Sequence, residues 1–101
     1  MEINISRQEQ SVIARLVGRL DTPASLEAAK ILDPLQEEAG GTIVLDCSEL
    51  SYISSSGLRI FLGLKKAATA KGGRIIIKGM CEDIRNVFMI TGFLGLFQIE
   101  E

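Results

Sequence analysis

The chain of 101 residues has no histidine and no tryptophan, and only two cysteines and two prolines. The missing histidine removes the Ser-His-Asp triad, imidazole metal ligation and the commonest general base. Cys47 and Cys81 lie far apart with no partner spacing. That pattern makes no zinc site, and both read as buried small hydrophobes in a thiol-reduced protein. No apolar run approaches the length of a membrane span, and Met1-Glu2-Ile3-Asn4-Ile5 lacks the basic-then-apolar layout of a signal peptide. A soluble cytoplasmic protein without membrane insertion is expected. No sign of charge dominates: the net charge is -2, with acids and bases interspersed. A nucleic-acid binder would instead show a basic face. Gly-x-Ser-x-Gly and Gly-x-x-x-x-Gly-Lys-Ser/Thr segments are also missing, so hydrolase and nucleotide-hydrolase readings have no support. Neither metal nor cofactor is expected.

What is present is an apolar share of 47%, enough for one domain over residues 1–101 with a core of its own. Ile3 and Ile5 alternate with polar residues and begin a strand; Gln8-Glu9-Gln10 is a polar turn. Val12, Ala14, Leu16 and Gly18 mark one face of a second strand, with Ile13 and Val17 on the other, so the two form a hairpin. Thr22-Pro23 reads as a hydroxyl cap with proline at the first helical position. Pro34 predicts a kink or break near Asp33. Ile43-Val44-Leu45 is apolar on both faces, the pattern of a central strand covered on both sides. A helix from near Ser56 carries Leu58, Phe61, Leu62 and Leu64 and stops at Gly72-Gly73. Arg74 to Lys78 is a further strand. Glu82-Asp83 opens a helix with Ile84, Val87, Phe88 and Thr91 on one face, Met89 opposite and Gly92 as its cap. Leu96 to Ile99 is a short last strand. The order ββαβαβαβ predicts a single-domain α/β fold: a mixed central sheet, an N-terminal hairpin and three main helices.

Function in such sheets gathers outside the carboxyl ends of the strands. The segment from Asp46 to Ser56 reads as a loop there, ending on Ser54-Ser55-Ser56-Gly57 at a helix mouth. Free N–H groups and the positive end of the macrodipole make that mouth hospitable to an anion. Spacing alone favours capping and turn formation for these serines. Asp46, at the strand end, is expected to bond the following loop. Asp21 closes the second strand; if that strand neighbours the third, it approaches the serines. Arg59 lies one turn inside the helix, on a solvated face.

The segment "LDCSELSYISSSGLRIFLGL" resembles the signature of the STAS domain, the fold of anti-sigma factor antagonists. "GRLDTPAS" looks like the family's Gly-x-Leu-Asp segment, and "DIRNVFMITGFLGLF" like its third helix and terminal strand. The resemblance implies a non-enzymatic binding module, phosphorylated on the serine just before the glycine. That position is Ser56, with Ser55 as the less favoured acceptor. It further implies a partner surface built from Asp21, Thr22, Ser54, Ser55, Gly57, Leu58 and Arg59. The implied partners are an anti-sigma factor serine kinase, which the unphosphorylated domain binds, and a metal-dependent serine/threonine phosphatase. Many members of that family carry aspartate where Ser54 stands, a departure in this chain; for Ser54 itself, capping or loop bonding is the expected role. The alternative implied by the same family is a structural subunit of a lipid-transport ABC complex. A monomer is the default for the free chain.

Overall fold

A computed structural model describes residues 1–100. Strands β1 (Glu2–Gln8) and β2 (Ser11–Leu20) form the predicted hairpin, antiparallel across a two-residue turn at Glu9 and Gln10. Helix α1 (Thr22–Leu32) follows and gives way to a 3-10 turn at Asp33–Glu38, the break that Pro34 requires. Strand β3 (Thr42–Ile53), helix α2 (Ser55–Lys71), strand β4 (Arg74–Lys78), helix α3 (Glu82–Ile90), a 3-10 turn at Leu94–Leu96 and strand β5 (Gln98–Glu100) complete the chain. The strands lie in the order β1-β2-β3-β4-β5. β1 is antiparallel to β2 and every other neighbouring pair is parallel, so the sheet is mixed as expected.

The packing corrects one expectation. The helices cover one face of the sheet, not both. Val12, Ala14, Leu16, Ile43, Leu45, Cys47, Ile75 and Ile77 share a single core with residues of α1, α2 and α3. Ile13, Val17, Val44 and Ile76 lie outside that core. Ile13, Val44 and Ile76 are neighbours across the sheet, through the register Ile13–Val44–Ile76, whereas Val17 lies between Glu2 and Glu49. β-branched residues in such cross-strand rows stabilise a sheet without a second layer of helices.

The core is closed by three rings. Phe61 of α2 and Phe88 of α3 have centroids 6.1 Å apart, and Phe97 meets Phe88 edge-on at 5.8 Å. α2 ends where Gly72 takes the left-handed conformation at φ 75°, which glycine alone adopts without strain. Several ends differ from expectation. Leu96 belongs to the 3-10 turn, exposed, and β5 begins only at Gln98. Thr91 is the C-cap of α3 and exposed, with Gly92 just beyond it. Cys47 is buried as expected, whereas Cys81, at the N-cap of α3, is exposed.

Phe88 is fully buried and touches both other rings. The Phe88→Ala variant is expected to lose about 3–5 kcal/mol of stability, measured by urea unfolding.

Candidate functional site

Leu20 ends β2 and Ile53 ends β3, and the two are partners in the parallel ladder. The Ser54 N–H donates to the Leu20 carbonyl at 2.9 Å, extending the ladder by one bond. Each strand then turns directly into a helix, so the N-termini of α1 and α2 stand side by side. Asp21 and the serine cluster meet there, as the neighbouring of β2 and β3 required.

The segment before the serines is strand, not the expected loop. β3 continues to Ile53 because it carries two extra residues against β2, at the register steps from Arg15–Asp46 to Val17–Glu49 and from Gly18–Leu50 to Arg19–Tyr52. These bulges bend the strand and change which residues face inward. Cys47, Leu50 and Ile53 are buried, every third residue instead of every second. Only Ser54 separates strand from helix.

Both helix caps are carboxylate or hydroxyl groups at the ladder's end. Asp21 is extended, at φ -83° and ψ -178°, and its carboxylate accepts from the Ala24 N–H at 2.9 Å. It displaces Thr22 as the expected cap. Thr22 is already the first helical residue and Pro23 the second; a carboxylate three residues before a free N–H is the better acceptor there. Ser25 is buried and its hydroxyl donates to the Asp21 carbonyl at 2.8 Å. At the second helix Ser54 is the cap, as expected for it, and its Oγ accepts from the Gly57 N–H at 3.2 Å. Helix α2 therefore starts at Ser55, one residue earlier than anticipated.

The serines thus have separate environments. Ser54 is buried and bonded. Ser55 is exposed and Ser56 half-buried, and no hydrogen bond engages either hydroxyl among the described residues. Ser56 lines a shallow groove of about 270 Å³ between α1 and α2, with Thr22, Leu26, Ala29, Arg59 and Ile60. Thr22 and Arg59 are exposed, and Leu26 is 72% exposed. Gly57 and Leu58 are buried. A Cβ on Gly57 would come within 2.8 Å of Leu20 and 2.9 Å of Ile53. Glycine is what lets α2 begin directly above the paired strand ends.

Farther along β3, Asp46 bonds the segment after it, as expected: its Oδ1 accepts from the Ser48 N–H at 3.0 Å and the Ser48 hydroxyl at 2.7 Å. Burial pushes the Asp46 carboxyl upward, but these bonds and the nearby charges of Lys78 and Arg15 outweigh it and hold it below the usual range. Burial pushes the Cys47 thiol up to about 12, which leaves it inert as a nucleophile. No cluster of groups that could hold a metal occurs among the described residues, and no helix among them is long and apolar enough to cross a membrane.

Sequence reasoning missed Ser25, Leu26 and Ile60 as neighbours of the serines. The GRLDTPAS segment contains Ser25, but only the β2–β3 pairing brings it there. It also missed Arg19, whose guanidinium lies 4.4 Å from the Tyr52 ring centroid on the adjacent strand.

The sequence profile of the STAS domain matches residues 2–101. The chain belongs to the STAS domain family. It is 27% identical to the anti-sigma-B factor antagonist of Staphylococcus aureus (strain NCTC 8325 / PS 47) over 101 residues, 100% of this chain and 94% of that one. It is 31% identical to the anti-sigma-B factor antagonist of Staphylococcus epidermidis over 84 residues, covering 83% of this chain and 78% of the other. Among solved structures, the unphosphorylated form of the anti-sigma factor antagonist SpoIIAA matches with a TM-score of 0.77 at 22% identity, covering 99% of this STAS chain and 88% of that one. An anti-sigma factor antagonist from Mycobacterium paratuberculosis matches with a TM-score of 0.85 at 14% identity, over 98% and 84% of the two chains. These structures share the STAS fold described above.

Two measurements check the site's construction. Ser54→Ala removes a cap and is expected to cost about 1 kcal/mol, whereas Gly57→Ala, forced against Leu20 and Ile53, is expected to cost about 1–3 kcal/mol; chemical denaturation ranks them. The Asp46 carboxyl titrates lower when folded than when unfolded, so its contribution to stability is present above about pH 4 and is lost as the pH falls below that. Asp46→Asn is therefore expected to flatten the acid limb of a stability-against-pH curve while leaving its slope near neutrality unchanged.

Proposed function

We propose that this STAS domain is an anti-sigma factor antagonist whose partner binding is switched by phosphorylation of Ser56. The observation that carries this reading is the division of labour among the serines. Ser54 is committed to its cap bond with Gly57, and Ser56 lines the groove between the two helix mouths. Two further points support it. The curated relatives are anti-sigma-B factor antagonists. SpoIIAA of Bacillus has also been solved in its phosphorylated form, with a TM-score of 0.75 and 24% identity to this chain.

A phosphate on Ser56 would add about -1.5 to -2 charges near neutral pH. In the first turn of α2 that charge favours the helix by roughly 0.3–1 kcal/mol, so the fold survives it. A partner seated over the groove is affected differently. It would have to desolvate a dianion, at a cost of several kcal/mol. Phosphorylation therefore acts on binding and not on folding. In this scheme an anti-sigma factor serine kinase binds the unmodified surface around Thr22, Leu26, Ser55 and Arg59 and releases it after transfer to Ser56. A metal-dependent serine/threonine phosphatase resets the domain. The chain itself performs no catalysis.

Incubation with the cognate kinase and ATP, followed by intact-mass measurement, tests the acceptor. One phosphate is expected on the wild type and on Ser55→Ala, and none on Ser56→Ala. Phosphate retained by Ser56→Ala, or an unmodified wild type, would overturn the assignment.

A further inference from the structure

The sheet face away from the helices carries an ordered pattern. Across β2, β3, β4 and β5 the register sets Ile13, Val44, Ile76 and Gln98 in one row. The next row on the same face, in the same strand order, is Arg15, Asp46, Lys78 and Glu100. Its charges alternate: plus, minus, plus, minus. Lys78 and Glu100 are exposed, and Arg15 and Asp46 are partly so. Arg15 also pairs with Glu49 on its own chain, and Asp46 accepts from Ser48. Neutral Asn4 of β1 extends the row beside Arg15.

A row of this kind is its own complement. Consider two sheets stacked face to face about a two-fold axis that runs along the strands, between β3 and β4. The axis reverses the lateral order and keeps the height along the strands. Arg15 then faces Glu100 of the second copy, and Asp46 faces Lys78 of the second copy, each pair occurring twice. The apolar row follows the same rule and sets Val44 against Ile76. Stacked sheets in proteins keep their strands within about 30° of one another, which this arrangement satisfies. We propose that the open face of the sheet is a self-association surface for a second copy of this chain.

The surface is small. Adjacent strands lie about 4.8 Å apart, so the charged row spans only about 14 Å. Ile76 is only 8% exposed and Val44 is half-buried, so little apolar area is left to bury. Association is therefore of the transient class, under about 1,200 Å² in total, and rests on charge. It is sensitive to salt, since the screening length falls from about 30 Å at 0.01 M to about 3 Å at 1 M. The inference is independent of the phosphorylation reading. Ser56 belongs to α2, which packs on the opposite face, so a dimer leaves it uncovered.

Sedimentation velocity at high protein concentration tests it. Dimer is expected at about 0.01 M salt and monomer at about 1 M. Lys78→Glu places like charges opposite each other twice and is expected to weaken association at least about tenfold. Asp46→Lys does the same. Mixed in equal amounts, these two variants again set opposite charges against each other at every position of the row, so the mixture is expected to dimerise. The pair Arg15→Glu and Glu100→Lys asks the same question at the outer positions, and decides it should Asp46→Lys fail to fold without its Ser48 bonds. A wild type that stays monomeric at low salt would overturn the proposal. So would a Lys78→Glu variant that dimerises as the wild type does, or mixtures of folded variants that associate no more than their components.

Discussion

One parallel strand pairing holds the rest in place. β2 and β3 run side by side to the same level, where Leu20 faces Ile53 and the Ser54 N–H reaches the Leu20 carbonyl. Beyond that point both strands give way to helix within two residues. The two caps, Asp21 and Ser54, therefore occupy equivalent positions on neighbouring strands. Gly57 completes the arrangement, because the space a side chain would need is filled by Leu20 and Ile53. The groove that holds Ser56 is a consequence of this geometry. It needs no loop of its own.

Features carried by local periodicity were legible in the sequence. The hairpin, the break at Pro34, the buried faces of α2 and α3 and the capping role of Ser54 all follow from spacing and from residue chemistry. What was not legible depends on pairing between distant segments. β3 looked as though it stopped at Asp46 because alternation fails there. The failure has a cause, two bulges against β2, and a trace, apolar residues at Cys47, Leu50 and Ile53. Three-residue spacing in one strand is unreadable without its partner. The α1 cap was misplaced by one residue because Thr22-Pro23 fits a capping pattern, while Asp21 fits it better once the chain leaves β2 in an extended conformation. The apolar triplets of β3 and β4 suggested helices on both faces. They satisfy a different demand, lateral contact within a bare sheet face.

The serine cluster shows how one helix mouth supports two functions that would conflict on a single residue. A capping hydroxyl must accept a backbone N–H, which holds its oxygen against the helix end. A phosphoacceptor must offer its oxygen to another protein. Ser54 meets the first demand and is closed to solvent. Ser55 and Ser56 lie within the first turn, where the macrodipole still favours added negative charge, yet neither is needed to hold the helix. Charge can thus change at this mouth without removing the interaction that defines it. The same separation shows that the cap needs no carboxylate: the Ser54 hydroxyl supplies the oxygen that the Gly57 N–H requires, so no fixed charge stands beside the acceptor.

The two sides of the domain consequently carry charge in two different ways. On the helix side the polar groups near the groove are few, and the proposed acceptor is neutral until modified. On the sheet side the charges are permanent, and in the row Arg15, Asp46, Lys78 and Glu100 each has an opposite neighbour on the next strand. That alternation stabilises the sheet laterally, and it leaves the row neutral overall. It has a second consequence. A row neutral overall but ordered in sign has no long-range attraction for a uniformly charged partner, yet it matches a reversed copy of itself at every position. Sign order, more than charge content, thus decides what this face can recognise, and a partner that reads Ser56 would be selected by an unrelated surface.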